Sequence, residues 1–304
     1  MYEVKIPATS ANLGPGFDAL GIALDLYNSY IFEEIDGGIE ISGFEEDFNS
    51  LENLVYKSML ETFEIIGYQP RGVRIVAECQ IPMSRGLGSS AACILGGVIG
   101  ANLLAGKPLS KDEIFRIATN IEGHPDNIAP ALFGGFVTSI MEGDEVYYNK
   151  IDLVNGIKFV ALIPDFTLST KAAREVLPKS ISYEDGVFNV GRVALLISAL
   201  QNGRYDLLNY ALKDRLHQPY RGKLIQGYEE IFSKCEKLGA LGVYLSGAGP
   251  TIMAIVEKNN NTFFRKISNY MKLKKFNWNI IELSLNLSGA LINKMVNSRM
   301  INIV

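Results

Sequence analysis

The chain has 304 residues, of which 48% are hydrophobic and 20% are charged, proportions that are ordinary for a globular protein. Its formal net charge of −4 and isoelectric point near 5.4 provide no basic surface for nucleic acid or for an anionic membrane. The longest apolar stretch, residues 91–106, is rich in glycine and shorter than a membrane span, so we expect neither a nucleic-acid nor a membrane partner.

This length exceeds the usual size of one domain and predicts two packed domains. The composition changes near Lys150, where a hairpin-like segment is followed by a new apolar run at residues 157–164. We therefore predict one domain over residues 1–150 and a second over residues 151–304. The first residues do not resemble a signal peptide, and the three cysteines share no metal spacing. Both observations favour a cytoplasmic protein with reduced thiols.

The first informative segment, residues 7–21, reads PATSANLGPGFDALG and follows a short predicted strand over residues 2–7. Its glycines and prolines predict a loop of defined shape. A purely structural connection would explain the glycines. It would not explain why Asn12 and Asp18 offer polar groups beside Phe17, so we favour a binding loop.

An amphipathic helix is predicted over residues 51–67, because apolar residues recur at helical spacing and Gly67 provides a stop. Asn53 lies near its start. This asparagine could cap the helix or reach into a pocket, and the sequence leaves both possibilities open.

Residues 82–92, reading PMSRGLGSSAA, lie between an alternating apolar run at 73–81 and an apolar, small-residue segment at 91–105. These flanks predict a strand and a buried helix. Gly86 and Gly88 lack the Cβ that would block a close approach of the backbone, and the first N–H groups of a helix carry partial positive charge. The stretch is therefore predicted to bind phosphate.

Two better-known phosphate motifs fit this stretch poorly. The P-loop requires a lysine after its last glycine, but Ser89 follows Gly88. The dinucleotide fingerprint requires a second strand after the helix, whereas Ser110 and Glu113 have the spacing of a capping box and predict a second helix. A turn that only joins strand to helix stays an alternative.

Residues 121–135, reading IEGHPDNIAPALFGG, carry two acids four positions apart, Glu122 and Asp126, with His124 between them. Pro130 is predicted to interrupt any helix, so we expect a loop that gathers these side chains at a site. The alternative is a pair of solvated surface acids. The spacing supports neither a zinc site nor a nucleophilic serine triad.

The second half alternates predicted strands and helices, which favours an antiparallel sheet with helices on one face, an α+β layer. Its glycine hairpin, SGAGPT at residues 246–251, could simply turn the chain or could leave room for a ligand. Arg174 and Arg221 lie in predicted loops. An arginine fork matches a carboxylate or phosphate, although a cap or surface role is equally open for each.

The segments at residues 7–18, 82–92 and 246–251 occur in the order of the three signature motifs of the GHMP small-molecule kinases, and the chain resembles that family over nearly its whole length. Further segments are similar to its homoserine-phosphorylating branch; they lie at residues 122–135, 169–179 and 218–224. The resemblance implies an α+β fold of two domains, with an N-terminal half like ribosomal protein S5 domain 2, a ferredoxin-like C-terminal half, and an active site between them.

The same resemblance implies transfer of the ATP γ-phosphoryl group to the hydroxyl of L-homoserine, in threonine biosynthesis, with Mg²⁺ held by Ser90 and Glu122. Glu122, Asp126 and Asn127 would be catalytic, Asn53 would lie near the adenine, and a homodimer is expected. The ATP phosphates would be bound by the whole glycine-rich stretch: Pro82, Met83, Ser84, Arg85, Gly86, Leu87, Gly88, Ser89, Ser90, Ala91 and Ala92. The amino acid would be surrounded by residues from both halves: Asn12, Asp18, His124, Asp126, Thr170, Arg174, Arg221 and Gly247.

The chemistry of homoserine agrees with this set of residues. Its ammonium requires anions and its carboxylate matches an arginine fork; the candidates are Asp18, Asp126, Arg174 and Arg221. An aspartate beside two arginines should have a low pKa, so we expect Asp126 to orient the hydroxyl rather than to act as a general base. The alternatives are a GHMP kinase for mevalonate or a sugar, and a binding protein without catalysis.

Overall fold

The computed structural model describes residues 1–296 and 299–302. These residues form two β-sheets with helices packed against them, which confirms the predicted α+β class. Within these ranges, no helix has the length and apolar character needed to cross a membrane.

The first sheet contains eight strands in the described part of the chain. Its order is β12-β11-β1-β2-β4-β3, and β5 pairs with both β2 and β6. The pairings are antiparallel except for that of β3 with β4. The strands are β1 (Tyr2–Ala11), β2 (Leu20–Glu34), β3 (Gly38–Ser42), β4 (Gly72–Cys79), β5 (Phe136–Glu142), β6 (Glu145–Ile151), β11 (Leu291–Val296) and β12 (Arg299–Asn302).

The second sheet is antiparallel and has the order β10-β7-β9-β8. Numbered along the chain this order is 4-1-3-2, that of a ferredoxin-like fold, as predicted for the C-terminal half. The strands are β7 (Ile157–Ile163), β8 (Gly242–Leu245), β9 (Ile252–Glu257) and β10 (Asn279–Leu283). Because β11 and β12 return to the first sheet, the two sheets do not divide the chain at one point, and the division at residue 150 stays a prediction.

Ten α-helices occur in the described residues. They are α1 (Leu54–Ile66), α2 (Ser89–Leu104), α3 (Lys111–Glu122), α4 (Pro125–Phe133), α5 (Thr170–Glu175), α6 (Tyr183–Asn202), α7 (Leu208–Ala211), α8 (Gln218–Arg221), α9 (Tyr228–Lys237) and α10 (Phe263–Leu273). Short 3-10 helices lie at Glu46–Phe48, Tyr205–Leu207 and Gly222–Leu224. The predicted capping box at the start of α3 is present.

Helix α2 is apolar on all sides and lies between the first sheet and α1. A Cβ on Gly96 would come within 2.7 Å of the Tyr30 ring on β2. One on Gly97 would lie 2.3 Å from the Val55 carbonyl oxygen on α1. Glycine at these positions therefore allows the helix to pack closely on both neighbours, which fixes the position of its N-terminus.

The two sheets share a hydrophobic core, because alternate residues of β7 point in opposite directions. Phe159, Ala161 and Ile163 belong to the core that includes the first sheet. Val160 and Leu162 pack in a second core with residues of α9 and α10. The shared core fixes the two halves relative to each other and so shapes the cleft between them.

Two predicted loops contain more regular structure than expected. β1 extends to Ala11 and β2 begins at Leu20, so the loop between them spans only residues 12–19. The predicted loop at residues 121–135 contains α4, with Pro130 inside the helix, so the prediction that this proline would interrupt a helix was wrong.

The environment of α4 explains why the helix continues through Pro130. Nearly all of its residues are buried, and it packs against β1, β2 and β5. A proline has no N–H to donate to the Asp126 carbonyl oxygen. That oxygen lies against Gly21, where a Cβ would be only 1.8 Å away. Apolar burial of the helix outweighs one missing helical hydrogen bond.

Candidate active site

An open cleft lies between the two halves. It brings together most of the residues predicted from the sequence: Asn12, Asp18, Asn53, Met83, Ser84, Arg85, Gly86, Gly88, Ser89, Ser90, Glu122, His124, Asp126, Asn127, Thr170, Arg174, Arg221 and Gly247. Four predicted nucleotide residues do not line it. Pro82 lies in a neighbouring depression, while Leu87, Ala91 and Ala92 are buried in the core.

The three glycine-containing motifs are hydrogen-bonded to one another beside this cleft. The Thr9 N–H donates to the Leu87 carbonyl oxygen over 3.1 Å, which joins the first motif to the second. The Ser246 hydroxyl donates to the Gly86 carbonyl oxygen over 2.5 Å, which joins the third motif to the second. The hydroxyl oxygens of Ser10 and Ser246 lie 2.7 Å apart, which completes the contact between first and third.

Gly86 and Gly88 are required by this contact among the motifs. Gly86 has φ +74°, and a Cβ there would lie 2.3 Å from the Ser246 carbonyl oxygen. Gly88 has φ +73°, and a Cβ there would lie 1.9 Å from the Thr9 hydroxyl oxygen. From the sequence, both glycines were expected to allow the close approach of a ligand. In the structure, the atoms that exclude a side chain belong to the protein.

Helix α2 directs its N-terminus into the cleft. Its N-cap is Gly88 in a left-handed conformation, which provides no capping side chain, and Ser89 and Ser90 line the cleft. The first N–H groups of a helix have no partner within the helix and carry partial positive charge. The first N–H groups of this sixteen-residue, largely buried helix are thus uncapped donors that face the cleft, as an anion site requires.

Ser90 and Glu122 form a polar pair beside this helix start. The Ser90 hydroxyl donates to Glu122 Oε2 over 2.8 Å. Burial raises the pKa of the Glu122 carboxyl, and nearby His124 and the Ser90 hydrogen bond only partly oppose that effect. No cluster of three or more His, Cys, Asp or Glu side chains suited to a metal occurs in residues 1–296 and 299–302. A hydroxyl and a carboxylate beside a phosphate site nevertheless fit Mg²⁺, which takes few protein ligands and completes its shell with phosphate oxygens and water.

Asp126 is 2% exposed and is held by its neighbours in the chain. Its Oδ1 lies 2.9 Å from His124 Nδ1 and accepts from Asn127 Nδ2 over 3.3 Å. The Thr9 hydroxyl donates to Asn127 Oδ1 over 2.7 Å and fixes the orientation of that amide. Burial lowers the pKa of His124, but the hydrogen bond and charge of Asp126 outweigh it, so the pKa is raised overall.

Arg174 and Asp18 form a bidentate ion pair across the two halves, with hydrogen bonds of 2.8 and 3.1 Å. Asp18 has φ +56°, and its N–H donates to Asn12 Oδ1 over 3.0 Å, which holds the loop in shape. Arg174 lies in α5 and Arg221 in α8, so the prediction that both arginines stand in loops was wrong.

The expected neighbourhood of Asp126 also differs from the structure. Arg174 pairs with Asp18, and within the described residues no ion pair joins Asp126 to Arg221. The direct partners of Asp126 are His124 and Asn127 instead. The expected direct contact of Asp126 with two arginines is therefore absent among the described residues.

Phe17 is a site residue whose role the sequence did not reveal. Its ring lies 5.4 Å from the Arg174 guanidinium carbon and 5.0 Å from that of Arg221. A guanidinium this close to an aromatic ring is attracted to its face. Phe17 therefore attracts both guanidinium groups to the same part of the cleft, although the two cations repel each other.

The lining of the cleft also includes three apolar side chains, those of Phe44, Phe48 and Leu54. Phe44 and Phe48 lie between β3 and α1 in a segment without periodicity, so the sequence provided no signal for them. Asn53 caps α1 by accepting from the Val55 N–H over 2.9 Å and also lines the cleft. The cap is therefore confirmed, and a role of Asn53 in binding a ligand stays a prediction.

Comparison with known proteins agrees with this fold. The family model described as GHMP kinases N terminal domain matches residues 53–135, and that described as GHMP kinases C terminal matches residues 196–273. The architecture and the cleft thus define a GHMP kinase.

Individual relatives show to which branch of the GHMP kinases the chain is similar. The chain is 52% identical to the homoserine kinase of Clostridium botulinum (strain Langeland) over 96% of its own length and 99% of that protein. It is also 52% identical to that of Clostridium beijerinckii, over 96% of its own length and 98% of the relative. The crystal structure of homoserine kinase from Cytophaga hutchinsonii aligns with a TM-score of 0.85 at 28% identity, covering 95% of this chain and 96% of that one. The chain belongs to the GHMP kinase family and, within it, to the homoserine kinases.

Proposed function

We propose that the chain transfers the γ-phosphoryl group of ATP to the side-chain hydroxyl of L-homoserine and so produces O-phospho-L-homoserine for threonine biosynthesis. One observation carries the proposal. The same cleft has an uncapped helix N-terminus on one side and the Asp18–Arg174 pair with a buried arginine, Arg221, on the other. The first feature suits a phosphate and the second suits a zwitterionic amino acid.

The nucleotide occupies the side of the cleft that faces α1 and α2. Its adenine lies near Phe48 and Asn53, and its phosphates lie at the N-terminus of α2 beside Ser89 and Ser90. In this position the free N–H groups of α2 neutralise part of the charge that spreads over the transferred phosphoryl group.

Ser90 and Glu122 are the residues that would hold Mg²⁺. A bound Mg²⁺ supplies positive charge to the β- and γ-phosphate oxygens. Glu122 is half-buried and its carboxyl has a raised pKa, so the protein holds a carboxylate there at a cost to its own stability. A nearby cationic ligand would remove that cost, which supports a role in metal binding rather than in folding.

Homoserine occupies the other end, where charge of both signs is available. Arg174 and Arg221 receive its carboxylate, and Asp18 and Asp126 face its ammonium and hydroxyl. Arg221 remains cationic there, since burial and the nearby Arg174 lower its pKa only to about 10.

Asp126 orients the homoserine hydroxyl through Oδ2, which accepts no hydrogen bond from the described residues. Orientation is the larger part of catalysis for a loose phosphoryl transition state, which needs little help from a base. Asp126→Asn is therefore expected to raise the homoserine KM and to lower kcat together. If the variant bound homoserine normally but transferred no phosphoryl group, Asp126 would be a general base instead.

An ADP-release assay with a panel of acceptors tests the proposed reaction. Homoserine should support turnover, whereas mevalonate, which has no ammonium, and galactose should not. Turnover with one of the other acceptors and not with homoserine would assign the chain to a different substrate. ADP release with none of the three would favour a binding protein without catalysis. The homodimer and the cytoplasmic location stay predictions, which sedimentation and cell fractionation would test.

A further inference from the structure

Arg221 is a buried cation whose orientation depends on only three acceptors. Its side chain is 2% exposed, yet the residue lines the cleft. Nε donates to the Ala173 carbonyl oxygen over 3.1 Å, and Nη1 donates to the Gly247 carbonyl oxygen over 3.0 Å and lies 3.3 Å from His217 Nδ1. Nη2 has no hydrogen-bond partner among the described residues. It is therefore the nitrogen left for a substrate carboxylate.

His217 is the only one of these three acceptors whose hydrogen-bonding character can change. The ring is fully buried and stacks on Phe17 at 5.2 Å. Its Nε2 lies 2.7 Å from the Gly14 carbonyl oxygen. A carbonyl oxygen can only accept, so Nε2 carries the hydrogen, and Nδ1 of the neutral ring is left with a lone pair for Arg221.

The charges around His217 favour this neutral form. Burial lowers the pKa of His217, Asp214 raises it and Arg221 lowers it, with a net lowering. Asp214 Oδ2 lies 3.6 Å from Nε2, but its carboxylate already accepts from the backbone N–H groups of Leu216, His217 and Gln218. The charge of Asp18 also raises the pKa of His217, as a smaller effect. Protonation would place a hydrogen on Nδ1, directly against the guanidinium.

We propose that His217 is a positioning residue for substrate recognition: its neutral tautomer, with the hydrogen on Nε2, turns Arg221 so that Nη2 faces the homoserine carboxylate. The inference rests on the function proposed above. His217 also links this arginine to Gly14 and Phe17 in the first loop, so it places parts of both halves around one end of the substrate.

Two substitutions separate the two ring nitrogens. In His217→Asn, the amide oxygen takes the place of Nδ1 and keeps an acceptor for Arg221, but the bond to Gly14 is lost. In His217→Gln, the amide nitrogen takes the place of Nε2 and keeps the bond to Gly14, but the acceptor for Arg221 is lost. Both variants replace the same buried imidazole with a side-chain amide, so each is a control for the effect of the other on packing.

Initial-rate ADP release gives the KM values for homoserine and for ATP in each variant. Positioning through Nδ1 predicts that His217→Gln raises the homoserine KM about tenfold, as for loss of one hydrogen bond to a charged group, with the ATP KM unchanged. His217→Asn is expected to stay within about threefold of the parent protein, as a hydrogen bond of ordinary strength is retained. Equal rises in both variants, or parallel rises in the ATP KM, would show that His217 only fills space.

The pH profile and a double variant complete the test. In the parent protein the homoserine KM should rise toward acid as His217 gains a proton, and His217→Asn should lack that component. In an Arg221→Met background, His217→Gln should cause no further rise, because the two residues act on the same contact. Independent effects there, or identical acid profiles, would overturn the proposal. A parent protein inactive with homoserine would instead refute the proposed function, so the two failures are distinguishable.

Discussion

Arg174→Ala is expected to raise the homoserine KM by about 10- to 150-fold and to leave the ATP KM unchanged. The magnitude follows from the loss of one charge-assisted hydrogen bond to the carboxylate, about 1.5 to 3 kcal/mol, at about 1.36 kcal/mol for each factor of ten. The Arg174 and Asp18 side chains are 39% and 35% exposed. An ion pair with this degree of solvent exposure contributes at most about 1 kcal/mol to stability, so the variant should remain folded.

Initial rates of ADP release, with homoserine varied at saturating ATP and then the reverse, measure the effect. Arg204→Ala is a matched control, because Arg204 also forms a bidentate pair, with Asp206 at 2.8 and 2.9 Å, but does not line the cleft. Its KM values should equal those of the parent protein. The reasoning would be refuted if Arg174→Ala raised both KM values equally, or if it left the homoserine KM unchanged.

Three further substitutions test other parts of the cleft. Glu122→Gln should abolish Mg²⁺-dependent turnover yet raise the Tm of the ligand-free protein at pH 7. A carboxyl whose pKa is raised on folding destabilises the folded state once pH exceeds its unfolded pKa, so the gain in Tm should disappear in acid. Gly86→Ala should cost more stability in urea unfolding than Gly67→Ala, which carries only the left-handed strain of about 1 to 2 kcal/mol, because a Cβ at position 67 meets nothing within 4 Å. Equal losses of stability in the two variants would mean that the hairpin at Ser246 moves to make room for a Cβ on residue 86 at little energetic cost. Asn53→Ala should lower stability by about 0.5 to 2 kcal/mol through the lost cap and also raise the ATP KM, and an unchanged KM would remove Asn53 from the nucleotide site.

Local patterns in the sequence were sufficient for much of the fold. The spacing of apolar residues and the Gly67 stop predicted α1, and the capping box at Ser110 predicted α3, because each signal acts within a few residues. The continuation of α4 through Pro130 could not be predicted in the same way. It depends on burial against strands that are distant in the chain.

The candidate site shows the same division between local and distant information. The glycine-rich stretch and the acids at Glu122 and Asp126 were recognisable as short patterns, and the cleft is lined by both acids and by most of the stretch. The pairing of Arg174 with Asp18 could not be recognised in the sequence, because these residues are 156 positions apart and come from different halves. Phe17 had no pattern of its own, and its role depends on cations supplied by the second half.

The hydrogen bond from the Ser246 hydroxyl to the Gly86 carbonyl oxygen spans 160 positions of the chain, and this has a consequence during synthesis on the ribosome. A nascent polypeptide exposes its glycine-rich turn long before the hairpin that braces it has been translated. Products of premature termination upstream of residue 246 therefore lack the hydroxyl that holds the Gly86 carbonyl oxygen in place.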